Sequence, residues 1–519
     1  MKTYYNCLKE ITANRLFKGL LEYGMFNHKL PPIFTSTPFY NYCIKNSVSF
    51  SKYRKDWIRY DNNRNNSLPR QLGIPNPFAY YYLCRSLYDN WATLLAYFKN
   101  VTNGQPYKIS RNHIRRLKDT YRLFKMNYDN FQIDGPKEPT GIVSSKYVIK
   151  ADISNCFSSI YTHSIPWALL GKSAAKALKP HSGHYTQIID ESLSNTTFGE
   201  THGILIGPVS SNLVSEIVLC QIDKTLFDKG YRFVRCIDDY KCFAETREKA
   251  ESFIVDLRKE LLRFDLSLNE KKTLIAEISA YNNQELNLRI HQLDYLIKYT
   301  SDSYKKIKYN QILVYFDALD RLCSELDNNL SVYLFAFKII SSKDLSDNAS
   351  RFLINKSLQL AFNNPYLLFG LKEYVFDVFG ITDEMQDFCN KLYACGIEEA
   401  NYEKAVYALY FSVLSGTKID ATNPLCIFNN AKDGDDCLLK LFSWIYCKKF
   451  YKTAYDTYFY SFALSLSSDE SELDRNWLFV FEVLNQKDLK NDWHLLKKAK
   501  ISFIEKGAFK SKKSWRKVS

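Results

Sequence analysis

An Asp-Asp pair set between two short aromatic and β-branched runs, YRFVRC (Tyr231 to Cys236) and YKCFAE (Tyr240 to Glu245), constrains this chain more than any other feature. Such runs read as two strands, joined through Ile237, Asp238 and Asp239. Upstream, YVIKADI (Tyr147 to Ile153) has the alternation of a buried strand ending at Asp152. An isolated Asp-Asp pair is usually a solvated turn. A third aspartate on a strand end, at compatible spacing, favours a carboxylate cluster instead.

The stretch from Lys150 to Lys272 supplies the other parts. A Gly-Pro turn at Gly207 and Pro208 opens an apolar helix over Ile204 to Asp223, with proline suited to a first helical turn. Arg247 to Phe264 is an amphipathic helix, and LSLNEKKT (Leu266 to Thr273) returns as turn and strand. Ser164 to Lys179 reads as one helix. The order β-α-α-β-β-α-β fits a ferredoxin-like unit, giving an α+β fold class. The GKS at Gly171 to Ser173 is not a phosphate-binding loop, because Pro166 stands where its first glycine belongs.

Nucleotidyl transfer needs two divalent ions that clamp the attacking and leaving oxygens, about 3.5–4 Å apart. Magnesium prefers carboxylate and carbonyl oxygens, so Asp152, Asp238, Asp239 and the Ile153 carbonyl form a suitable ligand set for two Mg²⁺ ions. Phe157, five residues past Asp152, is placed to exclude a ribose 2′-hydroxyl; its alternative is core packing. Gly207 allows close backbone approach at the template–base layer, and Ser211 sits one turn into the helix, both beside the nucleotide. Lys272 reads either as the proton donor to pyrophosphate or as a surface lysine.

At these motifs the chain resembles reverse transcriptases. Asp152 and Phe157 match their first palm motif, Gly207 and Ser211 the second, CIDD (Cys236 to Asp239) the third, and Lys272-Thr273 the fourth. Cys236 replaces the usual aromatic, and Ile206 the polar residue that commonly precedes the glycine. The latter contacts the template-side base pair in the family, so its loss argues against ordinary templated copying. IYTHSIPWALLGKSAAK (Ile160 to Lys176) and FGETHG (Phe198 to Gly203) resemble the abortive-infection branch. That resemblance implies reverse-transcriptase fingers and palm followed by an all-α HEAT-like helical-repeat domain. It further implies phage defence and synthesis from dNTPs that is protein-primed and template-independent. It also implies that the single-stranded DNA product stays on a tyrosine and that the protein is a homo-oligomer. Tyr4, Tyr5, Tyr23, Tyr40 and Tyr42 are candidate primers on position alone.

The remaining chain is divided as residues 1–145, N-terminal region and fingers; 146–280, palm; and 281–519, helical. SKYRKDWIRYDNNRNN (Ser51 to Asn66) reads either as a nucleic-acid grip or, by preference, as an amphipathic helix with a solvated basic face. A longer apolar helix starts near Pro77. Lys108, Arg111, Arg115, Arg116 and Lys118 are candidates for gripping the triphosphate. Helical periodicity recurs at Lys308 to Leu326, Ser331 to Ile340, Ser350 to Asn363 and Asn401 to Ser415. The basic tail, Lys497 to Ser519, reads as a nucleic-acid grip or a disordered end. A formal charge of +14 fits a polyanionic partner and equally a solvated excess of lysine. Thirteen cysteines without zinc spacing suggest buried thiols in a reducing compartment. With no signal sequence and no run long enough to span a bilayer, the expectation is a cytoplasmic protein without membrane contact.

Overall fold

The computed structural model describes residues 3–51, 54–65, 69–112, 142–179, 182–278, 306–420, 424–451, 456–509 and 515–518. Among the described residues two sheets form. The smaller is a hairpin of β1 (Ile58–Asn62) and β2 (Arg70–Ile74), paired antiparallel with Ile58 opposite Ile74 and Asn62 opposite Arg70. Ile58, Tyr60 and Asn62 turn inward while Asp61 is exposed, a period of two and not of 3.6. The Ser51–Asn66 stretch is therefore corrected from a helix to a strand-bearing segment.

The larger sheet contains β3 (Tyr147–Asp152), β4 (Arg232–Cys236), β5 (Asp239–Ala244) and β6 (Leu274–Glu277). Its spatial order is β4-β5-β3-β6, with every neighbour antiparallel. The central strand, β3, joins the first carboxylate to the hairpin that carries the other two. One face is covered by the Arg247–Leu262 helix, capped by the Thr246 side chain, which packs on β3 and β5. Behind it lies the Val209–Asp228 helix, buried around most of its circumference, as expected of a helix within a core rather than on a surface.

Other expected elements need adjustment. Ser164 to Lys179 is two helices, Ser164–Leu170 and Lys172–Ala177, because Gly171 at φ +87° breaks the first. The helix begun at Pro77 ends at Asp89, and a second, Trp91–Val101, follows from Asn90. The C-terminal half is helical as anticipated, with Tyr309–Glu325, Ser331–Ile340, Asp347–Asn363 and Tyr402–Ser415 close to their expected limits.

The C-terminal helices pack against the N-terminal region as well as against one another. Glu403 accepts from Asn62 Nδ2 at 2.6 Å and from Asn63 Nδ2 at 2.7 Å. Lys55 pairs with Glu470 and Asp474, and Arg475 with Asp56. The backbones of Ile33 and Thr35 bond to Glu505 and Phe503. The described part of the basic tail is docked, which corrects, for those residues, its reading as a disordered end. Trp515 donates to Asp377, Arg516 pairs with Asp347 and Lys517 with Asp383. Ten of the thirteen cysteines are buried, and all are free thiols. Among the described residues no helix is long and apolar enough to cross a membrane.

Candidate active site

Asp152 closes β3 directly opposite Asp239, the first residue of β5. The turn before β5 is formed by Ile237 and Asp238, with Ile237 in the left-handed region at φ +57°. Ligand oxygens of Asp152, Asp238 and Asp239 lie within 4.8 Å of one another. The three carboxylates that the sequence reading singled out are thus brought together. Ile153, the fourth candidate ligand, donates its N–H to the Asp238 carbonyl at 3.1 Å and is itself buried.

The loop before β6 completes the cluster. Asn269 donates its side-chain amide to Asp152 Oδ2 at 2.9 Å and its backbone N–H to the Asp152 carbonyl at 2.8 Å. Lys272 Nζ stands 3.1 Å from the same Oδ2. Lys272 is mostly exposed, so its tip is tethered by Asp152 and open to solvent. Sequence reasoning passed over Asn269, although it stands three residues before Lys272 in the same short motif.

Electrostatics follow from crowding like charges. Enclosure by the surrounding protein, then the charges of Asp238 and Asp152, push Asp239 up to about 7, with Lys272 opposing. Asp239 reaches solvent, so the neighbouring carboxylates are the cause that holds even where enclosure is weak. Asp238 is raised too, by enclosure first, then by Asp152 after its own backbone bond has opposed it, and Arg70 and Lys272 pull it down. Arg70 therefore lies within electrostatic reach of Asp238. It is exposed and begins β2, where it pairs with Asn62 of β1. No motif marked it.

The other candidates are distributed around this centre. Phe157 sits half-buried on the four-residue helix Cys156–Ser159, its carbonyl accepting from Ile204 N–H at 2.9 Å. Gly207, at φ +136°, meets the β1–β2 hairpin: a Cβ there would stand 2.8 Å from the Gly73 carbonyl oxygen. Gly73 N–H in turn donates to the Ile206 carbonyl at 2.8 Å. Ser211 is only 3% exposed, inside the first turns of the Val209–Asp228 helix. Lys108 and Arg111 are buried beside β4, where Arg111 N–H bonds to the Arg235 carbonyl. Arg115, Arg116 and Lys118 lie outside the described residues.

Among the candidate primers, Tyr4 is 2% exposed and donates to Glu216 at 3.0 Å. Burial holds its phenol well above the ordinary range. Tyr5, Tyr23, Tyr40 and Tyr42 are half-buried.

The donor set suits hard divalent cations: three carboxylates converge with few cations of the protein's own to balance them.

Comparison with known proteins agrees with this geometry. Residues 107–309 match the family model described as reverse transcriptase (RNA-dependent DNA polymerase). No curated protein matches the chain. Telomerase from Candida tropicalis with a fragment of telomeric RNA is similar at 9% identity and a TM-score of 0.29, over 72% of this chain and 67% of that one. The apo telomerase of the same organism aligns at 10% identity and a TM-score of 0.30, over 76% and 78%. Likeness this slight carries no argument of its own. The chain contains a reverse-transcriptase domain over residues 107–309, and its three clustered aspartates lie within that domain.

Proposed function

We propose that this protein is a DNA polymerase of phage abortive-infection defence, adding dNTPs without a template to a tyrosine of the protein itself. The observation that carries the polymerase reading is the convergence of Asp152, Asp238 and Asp239. Two Mg²⁺ ions held there, with the Ile153 carbonyl as a further ligand, would supply the positive charge that stabilises attacking and leaving oxygens. A hydroxyl oxygen forms a bond to the α-phosphorus, and the bond from that phosphorus to the β-phosphate bridge breaks. Arg70 is suited to hold the triphosphate by charge-assisted hydrogen bonds. Lys272, tethered 3.1 Å from Asp152 yet exposed, is suited to protonate the departing pyrophosphate. Phe157 would crowd a 2′-hydroxyl and so favour deoxynucleotides.

Template independence is supported at Ile206 and Gly207. Strand β2 covers this turn through the Gly73–Ile206 hydrogen bond and the close Gly73–Gly207 contact. The resemblance places a template base beside that turn in copying enzymes. Protein priming, homo-oligomeric assembly and a HEAT-like organisation of the C-terminal helices rest on the resemblance to the abortive-infection branch. Tyr4 is the weakest of the candidate primers, since its hydroxyl is buried and committed to Glu216.

The test is incubation of the purified full chain with each dNTP and Mg²⁺, then proteolysis and mass spectrometry. Nucleotides should appear on a tyrosine without added template, and the Asp238→Asn, Asp239→Asn variant should remain folded and unlabelled. Product released by denaturation alone, or following the sequence of an added RNA, would replace this reading with a templated polymerase. Phage protection that persists in the aspartate variant would instead favour a nucleic-acid-binding scaffold.

A further inference from the structure

Arg235 lies beneath the Asp238–Asp239 turn with no exposed side-chain surface. Its Nε donates to Asp223 Oδ1 and Oδ2 at 3.0 and 2.9 Å, and its Nη2 to Asp223 Oδ2 at 2.7 Å. Glu216 accepts from Nη1 at 2.9 Å and from Nη2 at 3.1 Å. Both acids are buried on one face of the Val209–Asp228 helix, seven residues or two turns apart. Nη1 also donates to the Ile237 carbonyl at 2.8 Å.

That last bond matters because of where Ile237 stands. A β-branched residue with positive φ is strained by about 1–3 kcal/mol and persists only where its surroundings over-determine it. The next residue is Asp238. The two peptide groups flanking Asp238 are thus each held: the preceding one by Arg235, the following one by Ile153 N–H on the Asp238 carbonyl at 3.1 Å. A buried ion cluster is weak evidence of stability, because apolar replacements often serve as well. A planar fork that satisfies two carboxylates and still reaches a carbonyl does what an apolar side chain cannot.

We infer that Arg235 is a positioning residue: locked by Glu216 and Asp223, it fixes the Ile237 carbonyl and thereby aims the Asp238 and Asp239 carboxylates at the metal site. The inference rests on the polymerase reading of that site. The lock extends to the chain's first helix, since the Tyr4 hydroxyl and the Ser110 hydroxyl both donate to Glu216 Oε2, at 3.0 and 2.8 Å. Neither Tyr4 nor Ser110 touches the carboxylates that would bind metal, so their effect on metal affinity must pass through Glu216 and Arg235.

The experiment measures Mn²⁺ binding directly, by electron paramagnetic resonance with dATP present, on the full chain and on Arg235→Lys, Tyr4→Phe and Ser110→Ala. Arg235→Lys retains the charge and loses the fork. It should unfold as cooperatively as the wild type and bind Mn²⁺ about tenfold to a hundredfold more weakly, as when a ligand's supporting partner is lost. The Mg²⁺ concentration for half-maximal incorporation should rise in step, with a smaller change in kcat at saturating metal. Wild-type Mn²⁺ affinity in a folded Arg235→Lys would overturn the inference. Should that variant fail to fold, Tyr4→Phe and Ser110→Ala decide the matter: weaker metal binding supports the lock, unchanged binding in both overturns it. Absence of Mn²⁺ binding to the wild type would instead overturn the polymerase reading itself.

Discussion

Gly73 and Gly207 meet backbone to backbone, with the Gly73 carbonyl oxygen 2.8 Å from where a Cβ on Gly207 would stand. This contact joins the β1–β2 hairpin to the turn that opens the Val209–Asp228 helix. At Gly207 a side chain faces two penalties, the left-handed φ of +136° and an unyielding backbone oxygen. At Gly73 it meets only the side chains of Trp57 and Leu205, at 2.9 and 3.0 Å. Gly207→Ala is expected to lower stability by about 1–3 kcal/mol and to abolish incorporation, with Gly73→Ala milder in both. Thermal unfolding of the two variants checks the ranking.

Asp239, raised to about 7, ties stability to pH. Its unfolded value lies near about 3.9. As pH rises between these values the unfolded chain releases its proton first, so the native state loses stability through that window and has lost it above about 7. Asp239→Asn cannot ionise and escapes the loss. Without metal, its melting temperature should exceed the wild type's at about pH 8 and converge with it near about pH 4. Mg²⁺ should raise the wild type more than the variant, and this stabilisation should weaken as pH falls below about 7, where protons compete for the same oxygens.

Arg70→Ala should raise the KM for dNTPs about tenfold or more, the loss expected for a charge-assisted hydrogen bond. Mn²⁺ binding without nucleotide should change little, since Arg70 is no metal ligand. Steady-state kinetics and metal titration separate the two. An unchanged KM would return Arg70 to the surface of the hairpin.

Phe157→Val should admit ribonucleotides, narrowing the preference for dNTP over NTP by about tenfold or more. Competition between dATP and ATP measures it. Unchanged selectivity would leave the half-buried ring with a packing role alone.

The sheet that carries the three aspartates was legible because its strands depend on local pattern. Alternation gave β3 and the Asp238–Asp239 hairpin, while the helix expected over Ile204 to Asp223 runs instead from Val209 to Asp228, with Pro208 as its N-cap. The β1–β2 hairpin was not, for β1 carries Asp61 and Asn62, poor strand formers, and Asn62 is held by the distant Glu403. Arg235 was hidden for a related reason. An arginine in a strand reads as an exposed residue, and Glu216 and Asp223 read as the polar side of a helix, until folding buries all three together. Two cations of the tail that looked available to nucleic acid, Arg516 and Lys517, pair instead with Asp347 and Asp383.

The hydrogen bonds from Ile33 and Thr35 to Glu505 and Phe503 set an order on the maturation of this molecule. A ribosome adding about 5–20 residues per second releases the N-terminal segment about half a minute or more before its C-terminal partners exist. During that interval Phe26, Phe34 and Phe39 lack the aromatic neighbours Phe503 and Phe442 that later enclose them. Until those residues emerge, this aromatic surface stays open and the β1–β2 hairpin lacks Glu403 as the partner of Asn62.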